Sequence, residues 1–236
     1  MKYYSILIPV FNEFKTIDKI VKKVLNLKNL KKQIIIIDDG SNDGTTKKLQ
    51  KLSKNKEINK IIFKKINKGK GFAIREAQKF IKGKFVIIQD ADLEYNPKDY
   101  FKILNVLEKK KFKIVYGSRI LNTNRYINHN FTSIIRVFAN HMLTIFSNFI
   151  NNQKLTDAHT CYKAFDAKIF KKIKLQEKRF AFCPEVTTKI SNLNHEIFEI
   201  KVSYNGRTYK EGKKISLIDG FEALIAIIKY KYFVKW

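Results

Sequence analysis

Two acid clusters hold most of the reactive potential in this 236-residue sequence. Ile34-Ile35-Ile36-Ile37 runs into Asp38-Asp39-Gly40-Ser41, and Val86-Ile87-Ile88-Gln89 runs into Asp90-Ala91-Asp92. In both cases a β-branched run ends in carboxylates, so two separate strands deliver paired acids at their ends. Asp90 and Asp92 stand two apart; on extended backbone they point to one face and can share a cation, with Glu94 as a third oxygen ligand. All-oxygen ligation selects a hard divalent ion, Mg²⁺ or Mn²⁺, and so sparse a protein cage is usually completed by substrate phosphates. Taken singly, Asp-Gly and Asp-x-Asp are also turn formers, so it is their joint order and spacing that carries weight. Cys161 and Cys183 lack CxxC spacing, and His129, His141, His159 and His195 lack metal-ligand spacing, so both sets read as structural.

The elements that must position these acids follow from periodicity. Residues 5–10, 33–38, 60–63, 84–89 and 113–116 read as strands, and 16–27 and 72–81 as amphipathic helices between them. Strand and helix in alternation imply a mostly parallel sheet with right-handed crossovers, in which ligands bind beyond the carboxyl ends of the strands. Asn67-Lys68-Gly69-Lys70-Gly71 lacks the spacing of a triphosphate-binding loop and reads as a turn shaping that edge. Farther on, Phe131, Ile134, Phe138, Met142, Ile145 and Phe149 recur at helical spacing opposite Ser133, Arg136, Asn140, Thr144 and Ser147. Packing of that apolar face on the sheet is expected, with a membrane interface as the alternative. The last stretch, 217–236, is apolar to Ile228 and then interleaves Lys229, Lys231 and Lys235 with Tyr230, Tyr232, Phe233 and Trp236, which suits a lipid headgroup zone.

At 44% hydrophobic and 13% aromatic residues the chain can build a substantial core, which excludes disorder, and no linker or repeat divides it: one domain over 1–236 is expected. The net charge of +27 implies a polyanionic neighbour, for which nucleic acid, an anionic membrane or a phosphorylated substrate all qualify. The apolar start is cut short by Asn12-Glu13, too early for a signal-peptide core, and no stretch is long enough to span a bilayer. A cytoplasmic protein is therefore expected.

Pro9 to Glu13 (PVFNE), Asp38 to Ser41 (DDGS), 67–73 (NKGKGFA), Asp90 to Asp92 and Gly117 to Arg119 (GSR), in that order, resemble the family 2 glycosyltransferases. Thr156-Asp157 and the run Arg207-Thr-Tyr-Lys-Glu-Gly-Lys213 are similar to the dolichol- or polyprenyl-phosphate sugar synthases within that family, which share an R-x-Y-x-E-x-K arrangement. The resemblance implies an α/β, GT-A-type, Rossmann-like fold with a C-terminal amphipathic helix. Residues 1–120 would be the nucleotide-sugar half and 121–236 the acceptor and membrane-facing half. By the same resemblance Pro9, Phe11, Glu13, Ile37 and Asp39 would hold the donor nucleoside, with Phe11 on the base and Asp39 on the ribose. Asp90, Ala91 and Asp92 would meet the donor diphosphate through the metal, with Glu94 the variable third ligand. Arg119, Arg207 and Lys213 would be the cations around the diphosphate and the acceptor phosphate, Arg136 a weaker candidate for the latter, and Asp157 a positioning group near the acceptor. The chain holds only six arginines among its 48 basic residues, so arginine, whose planar fork matches phosphate, is the more telling cation here.

The expectation is therefore a metal-dependent inverting hexosyltransferase, with Asp92, Asp157 and Arg207 at the reacting centre. It would use a nucleotide sugar (GDP-mannose or a UDP-hexose) and a polyprenyl phosphate, peripherally on the inner face of the membrane. A partner subunit supplying a transmembrane anchor is compatible with that location. A carbohydrate acceptor in surface polysaccharide assembly is the alternative within the family. A basic nucleic-acid binder is the distant rival, disfavoured because acid clusters repel phosphate unless a metal intervenes.

Overall fold

The computed structural model describes residues 3–109, 112–122, 131–207 and 217–234, with backbone alone for 131–136 and 217, and among the described residues seven strands and eight α-helices follow one another, mostly in alternation. The strands are β1 (Tyr4–Val10), β2 (Lys32–Asp38), β3 (Lys60–Phe63), β4 (Phe85–Ile88), β5 (Ile114–Ser118), β6 (Lys163–Asp166) and β7 (Ile197–Lys201), in the sheet order β3-β2-β1-β4-β6-β5-β7. All are parallel except β6, which runs against both β4 and β5.

Burial of both sheet faces explains why the central strands are unbroken apolar runs rather than alternating ones. Ile6, Ile8, Ile34, Ile36 and Ile87 face α1 (Ile17–Leu25), α2 (Thr45–Leu52) and α4 (Tyr100–Lys109). Leu7, Ile35, Ile37, Val86 and Ile88 face α3 (Lys70–Gln78), α6 (Ala167–Lys172) and α7 (Phe182–Asn192). In α1 the expected stripe of Ile17, Ile20, Val21 and Val24 is buried, worth roughly 1.5–3 kcal/mol per side chain. The segment 67–71 is partly helix, not only turn, because α3 already begins at Lys70.

The strand order makes one edge chemical. β1, β2, β4, β5 and β7 all leave the sheet there, and antiparallel β6 enters from it. Residues 11–13, 39, 90–94, 119, 157 and 207 therefore converge although they are scattered through the chain. Neither β6 nor β7 is among the strands read from the sequence: β6 has only Ala164 and Phe165 as apolar residues, and β7 is half-buried along most of its length.

Of the two remaining helices, the first departs from expectation. In α5 (Phe131–Asn151) the polar side is turned inward: Thr144, Ser147 and Asn151 are buried, and Asn151 donates to the Thr188 hydroxyl at 3.1 Å. Its apolar side faces outward, with Phe138, Met142 and Ile145 exposed and Phe149 83% exposed. Packing of this stripe on the sheet is thus overturned, because the partner groove on α7 offers hydroxyls and not an apolar surface. α8 (Leu217–Ile228) lies against α5 and α7 and ends in a π-helical turn, Lys229–Phe233. It buries Ala223, Ala226, Ile227 and Tyr230 and exposes Ile218, Phe221, Ile225, Tyr232 and Phe233. Lys235 and Trp236 lie outside the described residues.

Candidate active site

At the end of β2 the two aspartates separate in role. Asp38 builds the turn, accepting from the Ser41 N–H at 3.0 Å and the Thr46 hydroxyl at 2.5 Å. Asp39 is buried beside the 67–71 segment, where its Oδ2 accepts the backbone N–H groups of Lys68 (3.0 Å) and Gly69 (2.6 Å). Its other oxygen, Oδ1, is buried with no hydrogen-bond partner among the described residues. Burial pushes the Asp39 carboxyl upward in pKa, against the two amides and Lys64. A buried acceptor without a donor is costly in a finished structure, so this oxygen fits a ligand hydroxyl or N–H. Gly69 has φ +95°, and a Cβ there would lie 2.6 Å from the Lys178 carbonyl oxygen, so glycine is required where the amides turn toward Asp39. Pro9 and Ile37 are register partners just inside the same edge, and Phe11 is partly exposed beyond them.

The second acid cluster is divided between two cations. The chain leaves extended backbone at Ala91, which is buried, so Asp90 and Asp92 do not simply share one face. Asp90 forms an ion pair with Lys70, which lies in the 67–73 motif but has no role of its own in the sequence reading. Asp92 lies 3.2 Å from Nη2 of Arg207, which also grips Glu13 with both terminal nitrogens at 3.1 Å. Glu13 is held in turn by the Thr16 hydroxyl, 2.8 Å from Oε2. Burial, followed by the negative charges of Asp90 and Glu94, raises the Asp92 carboxyl to about 7 despite Arg207. The cluster is thus short of positive charge, as a site prepared for a cation would be.

Glu94, expected as a third ligand, has both oxygens occupied. Oε1 accepts the Arg207 N–H at 2.8 Å and Oε2 accepts the Tyr204 hydroxyl at 2.8 Å. Its role in this structure is to hold the segment after β7, which also pairs through an antiparallel Tyr95–Tyr204 bridge and so brings Arg207 to Asp92. Among the described residues no three His, Cys, Asp or Glu side chains converge as a ready-made metal cage. Asp90 and Asp92 are hard oxygen donors, the kind that Mg²⁺ or Mn²⁺ takes, and each is here paired with a side-chain cation.

Arg119 and Asp157, expected as separate phosphate and acceptor groups, are committed to each other. Nε and Nη2 of Arg119 each lie 2.7 Å from an Asp157 oxygen, and the Arg119 backbone N–H adds a third bond at 3.1 Å. Burial alone would raise the Asp157 pKa, but Arg119 outweighs it and holds the carboxyl below its usual range. Asp157 is fully buried with both oxygens engaged, which suits positioning and not proton abstraction. The guanidinium also lies 5.3 Å from the centre of the Tyr204 ring, another residue that sequence reading missed. Lys213 lies outside the described residues, and of Arg136 only the backbone, in α5, is described.

A family model, Glycosyl transferase family 2, matches residues 5–174. The chain belongs to glycosyl transferase family 2. An uncharacterised protein of Methanocaldococcus jannaschii is 34% identical over 141 residues, spanning 56% of this chain and 60% of that protein. The dolichyl-phosphate beta-glucosyltransferase of Dictyostelium discoideum is 28% identical over 244 residues, spanning 96% of this chain and 72% of its own. Glucosyl-3-phosphoglycerate synthase from Mycobacterium tuberculosis, solved with Mn²⁺, uridine diphosphate and phosphoglyceric acid, superposes with a TM-score of 0.72 over 99% of this chain and 80% of that one. At 12% identity this last likeness concerns the fold, a GT-A-like sheet with flanking helices. This family 2 chain therefore has its acid clusters and Arg207 at the sheet edge where such a fold binds ligands.

Proposed function

We propose that this glycosyltransferase moves a hexosyl unit from a nucleoside-diphosphate sugar to a polyprenyl phosphate at a membrane surface, with inversion at the anomeric carbon. The unpartnered Asp39 oxygen would receive the nucleoside, and Phe11 would cover it. Asp90 and Asp92 would hold Mg²⁺ or Mn²⁺, which when bound neutralises charge growing on the departing diphosphate. Arg207, already at Asp92, adds a cation at the same place. A lipid phosphate is an anion at neutral pH and needs no strong base, in keeping with an Asp157 wholly taken up by Arg119. Catalysis then rests on alignment and charge stabilisation.

The observation that carries the lipid acceptor is the reversed amphipathy of α5 and the matching outward stripe of α8. α5 lies between Arg119 and Asp157 in the chain, and α8 begins ten residues after Arg207, so both helices are near residues of the reactive edge in sequence. Two adjacent exposed apolar stripes on a strongly basic chain match the requirements of an anionic lipid surface. Among the described residues no helix is long and apolar enough to cross a membrane. Because dolichyl-phosphate beta-glucosyltransferases recur among the relatives, glucose is the first sugar to expect.

The deciding experiment offers UDP-glucose, GDP-mannose and UDP-N-acetylglucosamine, each labelled, to polyprenyl phosphate in vesicles with Mn²⁺, Mg²⁺ or chelator. Lipid-linked sugar from one donor, lost on chelation, is the expected result. Donor hydrolysis with no lipid product would discard the lipid acceptor and direct the search to carbohydrate acceptors.

A further inference from the structure

The loop between α6 and α7, residues 173–181, whose Lys178 carbonyl crowds Gly69, backs the segment that holds Asp39. Its Lys178 carbonyl accepts the Phe72 N–H at 3.0 Å and its Arg179 carbonyl accepts the Gly71 N–H at 3.3 Å. These are amides of the first turn of α3, directly after the Lys68 and Gly69 amides that hold Asp39. The approach is close: a Cβ on Gly71 would lie 2.4 Å from the Glu177 carbonyl oxygen. The loop thus supplies in trans the acceptors that a helix start lacks.

The same loop is fastened from behind. Glu185 on α7 accepts the N–H groups of Gln176 (2.6 Å) and Glu177 (3.0 Å), and is itself buried against Lys189 at 2.7 Å. The Glu177 carboxylate then reaches the π-helical turn after α8, accepting from Lys229 Nζ at 2.8 Å and from the Tyr230 hydroxyl at 2.7 Å. Tyr230 is fully buried beside Ala181 and Ala226, and its carbonyl accepts from Asn192 at 2.8 Å. Lys229, expected in the headgroup zone, is partly exposed and also pairs with Glu177. A π-helical turn that presents two consecutive side chains to one carboxylate is an unusual backbone solution, of the kind found at functional positions.

We propose that Glu177 is a positioning residue of the donor site, holding the 173–181 loop against the start of α3 so that the Lys68 and Gly69 amides stay aimed at Asp39. This rests on the reading of Asp39 as a donor contact. Glu177 touches no reacting atom; it acts through the loop carbonyls, the first turn of α3 and the two amides. α8 is thereby a working part of the donor half as well as the bearer of an apolar face.

The test measures UDP and GDP binding with Mn²⁺ by calorimetry, and transfer kinetics, for Glu177→Ala, Glu177→Gln and Tyr230→Phe. In Glu177→Ala the nucleotide Kd and donor KM should rise about tenfold, the weight of one charge-assisted hydrogen bond, while kcat and the acceptor KM stay within about twofold. Glu177→Gln, still able to accept from Tyr230, should recover most of that affinity, and Tyr230→Phe should fall between. An unchanged nucleotide Kd in Glu177→Ala, or a parallel fall in donor binding, kcat and melting temperature, overturns the proposal. Hydrogen exchange of the nucleotide-free protein separates the two readings. The amides of 68–72 should exchange faster in Glu177→Ala while β1 and β4 do not change, and unaltered exchange there overturns the proposal with or without activity. Faster exchange in a chain that binds neither nucleotide leaves Glu177 as the fastening of the α3 start and overturns the reading of Asp39 as a donor contact, and the donor role of Glu177 with it.

Discussion

Arg207 answers to three carboxylates at once, and that arithmetic sets what a substitution does. With Glu13, Asp92 and Glu94 around one guanidinium, the site carries more negative than positive charge until a further cation arrives. Asp92→Asn should leave the fold intact and lower transfer by roughly two orders of magnitude or more, because one of two hard ligands is lost. Turnover within tenfold of the parent enzyme would remove Asp92 from the centre. His159, half-buried with an enclosed, unpartnered Nε2, has its pKa lowered to about 4 by burial and the nearby Lys163 charge. A depressed histidine contributes stability that is complete above about pH 6.5 and is lost as pH falls through about 4, on the order of 1–2 kcal/mol. The raised Asp92 carboxyl runs the other way between about pH 4 and 7, since deprotonation there costs the folded state. The comparison is therefore with His159→Gln: on going from pH 7 to pH 4.5 the urea midpoint of this variant should rise relative to that of the parent chain, by the His159 contribution alone, and an equal shift in both would remove His159 from the balance.

α5 and α8 have the length and periodicity of core helices but the orientation of surface ones. Phe149 and Phe221 are exposed, so replacing either by serine removes no internal packing. Each substitution should leave the urea midpoint nearly unchanged and weaken binding to anionic vesicles about tenfold, as expected for losing roughly 1.5 kcal/mol of lipid burial per ring. Unchanged vesicle affinity in the double variant would detach these faces from the membrane. Truncation from Lys229 onward is a poorer probe, because it also removes the partners of Glu177. Phe233→Ser, at the exposed end of the same turn, isolates the surface contribution.

Charge acts over the entire chain. A net charge of +27 spread over 236 residues produces a field no single lysine accounts for. Vesicle association should fall steeply between about 50 and 300 mM salt on anionic lipid and little on neutral lipid, because screening shortens the reach of that field to about 6–14 Å. A salt-insensitive affinity would assign binding to the apolar stripes alone. The carboxylate edge is the exception to the positive field, and it lies where strand ends gather acids from distant parts of the chain.

Apolar runs ending in Asp38-Asp39 and Asp90-Ala91-Asp92 were sufficient to reveal a parallel sheet with an acidic edge, because a run buried on both faces must be continuous and its first polar residue must leave the sheet. The family was legible from the same motifs, since their order along the chain is the order of the strands. Pairing was not. Arg119 with Asp157, Lys70 with Asp90 and Glu94 with Tyr204 join residues 20 to 110 positions apart, and any of these cations could have served any of the acids until antiparallel β6 and the Tyr95–Tyr204 bridge fixed who stands beside whom. The direction in which α5 faces was equally hidden: periodicity reports that a helix has two unlike sides, and only the hydroxyl-lined surface of α7 determined that the polar side would be the buried one.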